Sequence, residues 1–230
     1  MSEKKNIRTR IYIGDTENLK NSRIFGEYYE KMPDGRKKKI DKYKFDKDKR
    51  LSLGAGILLK KALEDIGIDY EKEETAEYKN KKPYLKNHPE VHFNLSHSGN
   101  RVMCAVSANP IGCDVELIEK IDLNVAKRFF SETEYDYLSG KNTEEEKTVS
   151  FYRIWTLKES YVKALGEGLS IPLNAFDIVF ENEIVCKIEG NTFKSCYFTE
   201  YRQSDREYRY SSCEIVEGEY TQPQVIEISI

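Results

Sequence analysis

The sequence lacks the markers of several large protein classes. No stretch approaches the ~20 consecutive apolar residues that a membrane-spanning helix needs, so no membrane protein is expected. The opening segment, MSEKKNIRTR, has no apolar core, which argues against a secretory signal. Positive charge is not in excess: 37 Lys and Arg stand against 40 Asp and Glu, for a formal net charge of −3. A general nucleic-acid binder shows a clear basic surplus instead. The 13 glycines and 6 prolines gather into no linker, and no internal repeat is found. The five cysteines, Cys104, Cys113, Cys186, Cys196 and Cys213, are odd in number and form no Cys-x-x-Cys pair. They read as buried free thiols in a reducing, cytoplasmic setting.

What is there points to a soluble globular protein. The chain has 230 residues, 39% hydrophobic and 33% charged. A chain of that length buries roughly 70% of its extended surface on folding and needs no staples.

Patterning along the chain alternates strands and helices. Arg10–Ile13 reads as a strand. Arg36–Arg50 is dense in Lys and Arg, broken by Asp. Leu51, Ala55, Leu58, Ala62 and Ile66 then recur at spacings of three and four, the period of an amphipathic helix, with Gly67 as its stop. Val91, Phe93 and Leu95 alternate with polar residues as in a half-buried strand; SHSGN reads as a turn and Arg101–Ser107 as the next strand. Leu123–Phe130 reads as a helix. Ser131 with Glu134 has the capping-box form and starts another, ending near Gly140. KNTEEEK reads as a polar loop before the longest helix, about Lys147 to Leu165, which Gly166 and Gly168 stop. The remainder reads as strands joined by short turns. This order implies an α+β fold in two similar-sized halves, residues 1–110 and 111–230.

Three places carry chemistry. In IGCDVEL, residues Ile111 to Leu117, an apolar frame holds Asp114 and Glu116 two positions apart. On a strand such residues share a face, about 7 Å apart at ~3.3 Å of rise per residue. On spacing alone they either face water or share a cation. On the long helix Glu159 projects away from the apolar stripe of Ile154, Leu157 and Tyr161, in one row with Trp155 and Lys163. A surface Glu–Lys pair is the plain reading. However, Trp155 is the chain's only tryptophan, and it makes an ordinary solvent face a poor description. Asp114, Glu116 and Glu159 together would make an all-oxygen site, which suits Mg²⁺. Finally, NLSHSGN sets Ser96 and His97 beside backbone N–H groups that can hold a phosphate. The basic run at Arg36–Arg50 is either another phosphate contact or a solvated face.

Taken jointly and in order, these motifs resemble the Sfp-type (surfactin-type) 4′-phosphopantetheinyl transferases. That family's pattern is Gly-x-Asp-x-Glu on a strand, then, about forty residues on, Trp-x-x-Lys-Glu-x-x-x-Lys. Here Gly112, Asp114 and Glu116 match the first part and Trp155, Lys158, Glu159 and Lys163 the second, with Glu159 lying 45 residues beyond Asp114. KKPYLKNHPEVHFNLSHSG, AKRFFSETE and GEGLSIPL extend the likeness over about Lys81 to Phe180.

The resemblance implies two α+β halves with pseudo-twofold symmetry and a coenzyme A cleft between them. It implies a cytoplasmic, monomeric enzyme that moves 4′-phosphopantetheine from coenzyme A to a serine of an apo acyl or peptidyl carrier protein, releasing adenosine 3′,5′-bisphosphate. Fatty-acid, polyketide and nonribosomal peptide carriers all remain open as acceptors. It assigns Asp114, Glu116 and Glu159 to Mg²⁺, with Mn²⁺ as a substitute, and gives Glu159, Lys163 and Asp114 catalytic roles. Lys158 and Lys163 would face the phosphates, Ser96 and His97 the 3′-phosphate, and Lys82 and Pro83 the adenine. Glu134 would be a cleft glutamate. Arg36, Lys39 and Arg50 are the best matches for further 3′-phosphate contacts. A homologue that only binds coenzyme A or a carrier domain is the alternative; it would be signalled by loss of a metal carboxylate, and all three are present. Cys113 stands where a branched aliphatic is usual and should pack as a small hydrophobe. No motif assigns a function to the tail after about Tyr201.

Overall fold

Strands and helices follow one another along the chain in blocks. The computed structural model describes residues 7–166, 168, 171–193, 195–201 and 207–230. These form six α-helices and twelve strands, the α+β class expected. The chain divides into two compact units. One is Met1–Asn109 with Thr221–Ile230; the other is Pro110–Tyr220.

The first unit is built on a four-stranded sheet of order β12-β1-β5-β4. β1 (Arg10–Asp15), β4 (His92–Ser98) and β5 (Arg101–Ser107) supply its middle and one edge. β12 (Gln224–Ser229) pairs in parallel with β1, Arg10 opposite Gln224. The last ten residues therefore belong with the first unit, a departure from a simple halving at residue 110. Helix α3 (Asp46–Glu64) lies over β5 and β1. It buries Leu51, Ala55, Leu58 and Ala62 of the expected stripe. Helices α1 (Ser22–Glu30) and α2 (Asp34–Asp41) flank it, and β2 (Thr75–Glu77) with β3 (Pro83–Leu85) forms a small hairpin.

The expected SHSGN turn is shorter than the sequence suggests. β4 runs on to Ser98, paired with Arg101, which leaves only Gly99 and Asn100 as the loop. Gly99 sits at φ +59°, a left-handed conformation that glycine adopts without steric cost.

The second unit pairs a three-stranded antiparallel sheet of order β10-β11-β6 with one long helix. Its strands are β6 (Ile111–Leu117), β10 (Cys196–Tyr201) and β11 (Tyr208–Ile215). Helix α6 (Glu144–Leu165) packs on β6 and β11. α6 begins three residues before the sequence expectation. Thr143 Oγ1 accepts from the Glu146 N–H while the Glu146 carboxylate accepts from the Thr143 N–H, so most of the polar KNTEEEK segment is the helix's first turn. Gly166, at φ +73°, closes the other end. Before α6 come α4 (Asn124–Phe129) and α5 (Glu132–Ser139), the latter capped by Ser131 and Glu134 as expected. A second small sheet holds β7 (Asp177–Phe180), β8 (Ile184–Ile188) and β9 (Asn191–Thr192). All five cysteines are buried and none is in a disulfide.

Candidate functional site

The site in the second unit starts from a missing side chain. On β6 the residues Gly112, Asp114 and Glu116 share one face. A Cβ at Gly112 would collide with the Ser160 carbonyl oxygen and the Ala164 amide nitrogen of α6. That glycine lets the helix backbone settle directly on the strand, and the face it occupies is the one that bears the two carboxylates. Ile111, Cys113 and Val115 are fully buried on the opposite face, so Cys113 packs as a small hydrophobe.

Close approach brings α6 side chains onto the carboxylates. Lys163 Nζ lies 2.5 Å from Asp114 Oδ1. Asp114 is 2% exposed, and the Lys163 side chain is 27% exposed. Although burial weakens the hold on the Lys163 proton, the Asp114 charge and hydrogen bond outweigh it and raise its pKa. Glu159, one turn earlier, is half-buried. Desolvation raises its pKa most, Lys163 works against that, and the Asp114 charge adds to it. Asp114, Glu159 and Lys163 therefore act on one another. Trp155, one turn further back, meets Phe129 edge-on at 5.6 Å and stacks on Phe151.

β11 forms the other side of this face. Ser211 stands directly opposite Asp114 and Arg209 directly opposite Glu116. Sequence reading missed both. REYRYSSCEI reads as a strand and its alternation puts the two on one face, but the pairing that sets them beside the carboxylates joins segments about a hundred residues apart.

Lys158 and Glu134 are a correction. Lys158 precedes Glu159 by about 100° on the helix, which turns it into the core. Its side chain and that of Glu134 are both 0% exposed, with Nζ 2.6 Å from Glu134 Oε1. Nζ also donates to the Phe176 carbonyl at 2.5 Å. The Glu134 carboxylate accepts from the N–H groups of Ile178 and Ser131. Burial raises the pKa of Glu134 and lowers that of Lys158, each opposed by its partner. This satisfied ion pair ties α5 and α6 to β7, and neither group faces a phosphate or lines an open cleft.

The remaining candidates lie in the first unit. Arg36 and Lys39 are one turn apart on α2. Arg36 Nε donates to Tyr70 Oη at 3.3 Å. The Lys39 pKa is lowered, by desolvation and then by the Arg36 charge. Arg50 is half-buried in α3. Ser96 and His97 are consecutive strand residues on opposite faces, Ser96 buried and His97 exposed, so no shared hydroxyl–imidazole turn exists. Pro83 opens β3, and Lys82 precedes it in a turn where its N–H donates to Asn80.

The donor set of Asp114, Glu116 and Glu159 is carboxylate oxygen alone, the chemistry that Mg²⁺ favours. Among the described residues, however, no three His, Cys, Asp or Glu side chains are gathered closely enough to hold an ion by themselves. Mg²⁺ characteristically takes one or two carboxylates and completes its shell with water and phosphate oxygens.

Two family models match the chain. The 4′-phosphopantetheinyl transferase superfamily model matches residues 110–213, the unit that carries this site. The 4′-phosphopantetheinyl transferase N-terminal model matches residues 22–109. The chain belongs to the 4′-phosphopantetheinyl transferase superfamily. Within it, the chain is similar to the 4′-phosphopantetheinyl transferase Sfp of Bacillus subtilis (strain 168), 41% identical over 133 residues, 57% of this chain and 58% of that protein. It is similar to the 4′-phosphopantetheinyl transferase gsp of Aneurinibacillus migulanus, 47% identical over 87 residues, 38% of this chain and 36% of that one. The L-aminoadipate-semialdehyde dehydrogenase-phosphopantetheinyl transferase of Mus musculus is 24% identical over 200 residues, 80% of this chain and 63% of that one. Each match spans less than two thirds of the relative's length. No helix among the described residues is long and apolar enough to cross a membrane.

Proposed function

We propose that this phosphopantetheinyl transferase superfamily member transfers 4′-phosphopantetheine from coenzyme A to a serine of an apo acyl or peptidyl carrier protein, releasing adenosine 3′,5′-bisphosphate, as a cytoplasmic monomer. The observation that carries the reading is the Lys163–Asp114 contact at 2.5 Å beside Glu159. It lies in the strand and helix that the superfamily model covers.

Asp114, Glu116 and Glu159 would hold Mg²⁺, or Mn²⁺ in its place, which when bound offsets the charge of the coenzyme A pyrophosphate. The chain's own groups do the rest. The carrier serine hydroxyl attacks the β-phosphorus in line with the departing bisphosphate. Glu159, whose burial strengthens its hold on a proton, takes the serine proton. Lys163, kept charged by Asp114, turns to the phosphates and stabilises the charge that passes to the leaving group.

Chromatography of the small-molecule products tests the reading. With coenzyme A, Mg²⁺ and an apo-carrier from a panel of fatty-acid, polyketide and peptide-synthetase carriers, adenosine 3′,5′-bisphosphate should accumulate in proportion to carrier. Release that is independent of carrier, or none with any carrier, overturns it.

A further inference from the structure

The buried hydroxyl opposite Asp114 has no role in the reaction as described so far. Ser211 is 0% exposed, and among the described residues its Oγ has no hydrogen-bond partner. A buried polar atom left unpaired costs about 1–3 kcal/mol, so its retention requires a reason. Its place supplies one. Ser211 and Asp114 are a directly opposed cross-strand pair on β11 and β6, and such pairs share a face with Cβ atoms about 5 Å apart. Rotation about the Ser211 Cα–Cβ bond swings the hydroxyl toward the Asp114 carboxylate. In this structure one carboxylate oxygen is held by Lys163. When Lys163 turns to a phosphate, the carboxylate loses that contact, and the Ser211 hydroxyl on the paired strand stands where it can donate in its place.

We infer that Ser211 is a positioning residue: its hydroxyl donates to the Asp114 carboxylate once Lys163 has left it, aiming the other lone pairs at a divalent cation. The inference rests on the proposed metal role of Asp114. A ligating carboxylate is commonly oriented by such an outer donor, and loss of that donor typically weakens metal affinity about 10–100-fold.

The test is Mn²⁺ binding to the purified protein with coenzyme A present, read as free Mn²⁺ by electron paramagnetic resonance, alongside thermal melting. Ser211→Ala should weaken Mn²⁺ binding about tenfold, with a melting midpoint unchanged or raised because an unpaired buried hydroxyl has gone. Ser211→Thr, which keeps the hydroxyl, should bind within about twofold of the wild type on the same reasoning. Asp114→Asn separates the two claims. If it abolishes binding while Ser211→Ala binds like the wild type, the Ser211 inference fails and the metal site stands. If Asp114→Asn binds like the wild type, both fail. If Ser211→Ala proves unstable, Ser211→Cys, which keeps the volume and gives up the strong donor, is measured in its place. Weakened Mn²⁺ binding accompanied by a lowered melting midpoint in both variants marks a packing effect and also overturns the inference.

Discussion

Lys163 Nζ sits 2.5 Å from Asp114 Oδ1, joining the last turn of α6 to the fourth residue of β6, a strand whose Gly112, two positions earlier, lets the helix in. The contact sets an ammonium against the buried Asp114 carboxylate. It also makes Lys163 a group that is held charged until an anion competes for it. Lys163→Ala should lower kcat about 10²–10³-fold, the usual cost of removing one donor to developing charge. A steady-state assay that finds less than a threefold loss removes Lys163 from the reaction.

Glu159→Gln tests the residue in both of its proposed roles. The amide keeps the shape but neither accepts the serine proton nor offers a charged oxygen to the cation, so kcat should fall at least about 10²–10⁴-fold, with circular dichroism unchanged. Wild-type turnover by this variant would assign the proton to another acceptor.

Gly112→Ala should be poorly tolerated for a steric reason that has nothing to do with charge. The added methyl meets helix backbone, which cannot rotate away as a side chain can. Overpacking of this kind costs about 3 kcal/mol or more, or roughly 6–12 °C in melting temperature for a chain of this size. A melting midpoint within about 2 °C of the wild type, on the same scale, would show that α6 does not rest on β6 as described.

How much of this was legible beforehand differs from residue to residue. The carboxylate strand, the Ser131–Glu134 cap and the row Trp155–Glu159–Lys163 are local patterns, and each appears where the spacing puts it. Lys158 neighbours Glu159 in the motif, but successive helix positions point about 100° apart, and the motif's spacing does not tell the buried lysine from the half-buried glutamate. The start of α6 is hard to read because the acidic run Glu144–Glu146 resembles a solvated loop, while Thr143 with Glu146 is itself a capping box. α2 left little trace since Ile40 is its only buried residue. The parallel pairing of β12 with β1 and the placing of Ser211 opposite Asp114 depend on contacts between distant segments, which no local pattern encodes.

The Glu134–Lys158 pair predicts a stability effect of a particular shape. Removing either partner alone, by Glu134→Leu or Lys158→Met, strands an uncompensated buried charge and should cost about 3–5 kcal/mol. The double variant should recover much of that loss in a denaturant titration. Additive losses would show that the two groups do not act as a pair.

Asp65 links stability of the first unit to pH. Its carboxylate accepts from Tyr12 Oη at 2.9 Å and from Lys61. Desolvation raises its pKa, but the Lys61 and Tyr12 hydrogen bonds and the Lys61 and Arg10 charges outweigh that and lower it. A folded-state value below the unfolded one, about 3.9, stabilises the fold above that pH and is lost as pH falls through the folded value. The melting midpoint should therefore drop below about pH 4, and Asp65→Asn should flatten that part of the curve. An unchanged acid limb in the variant would contradict the contribution.

The transfer itself is the claim on which the rest depends. Intact-protein mass spectrometry of an apo-carrier, incubated with coenzyme A and Mg²⁺ and either the wild type or Asp114→Asn, tests it most directly. The account predicts that the carrier gains the mass of one phosphopantetheine group with the wild type and stays unmodified with Asp114→Asn. Modification by both proteins would contradict the assigned site, and modification by neither, across carriers of all three kinds, would contradict the activity.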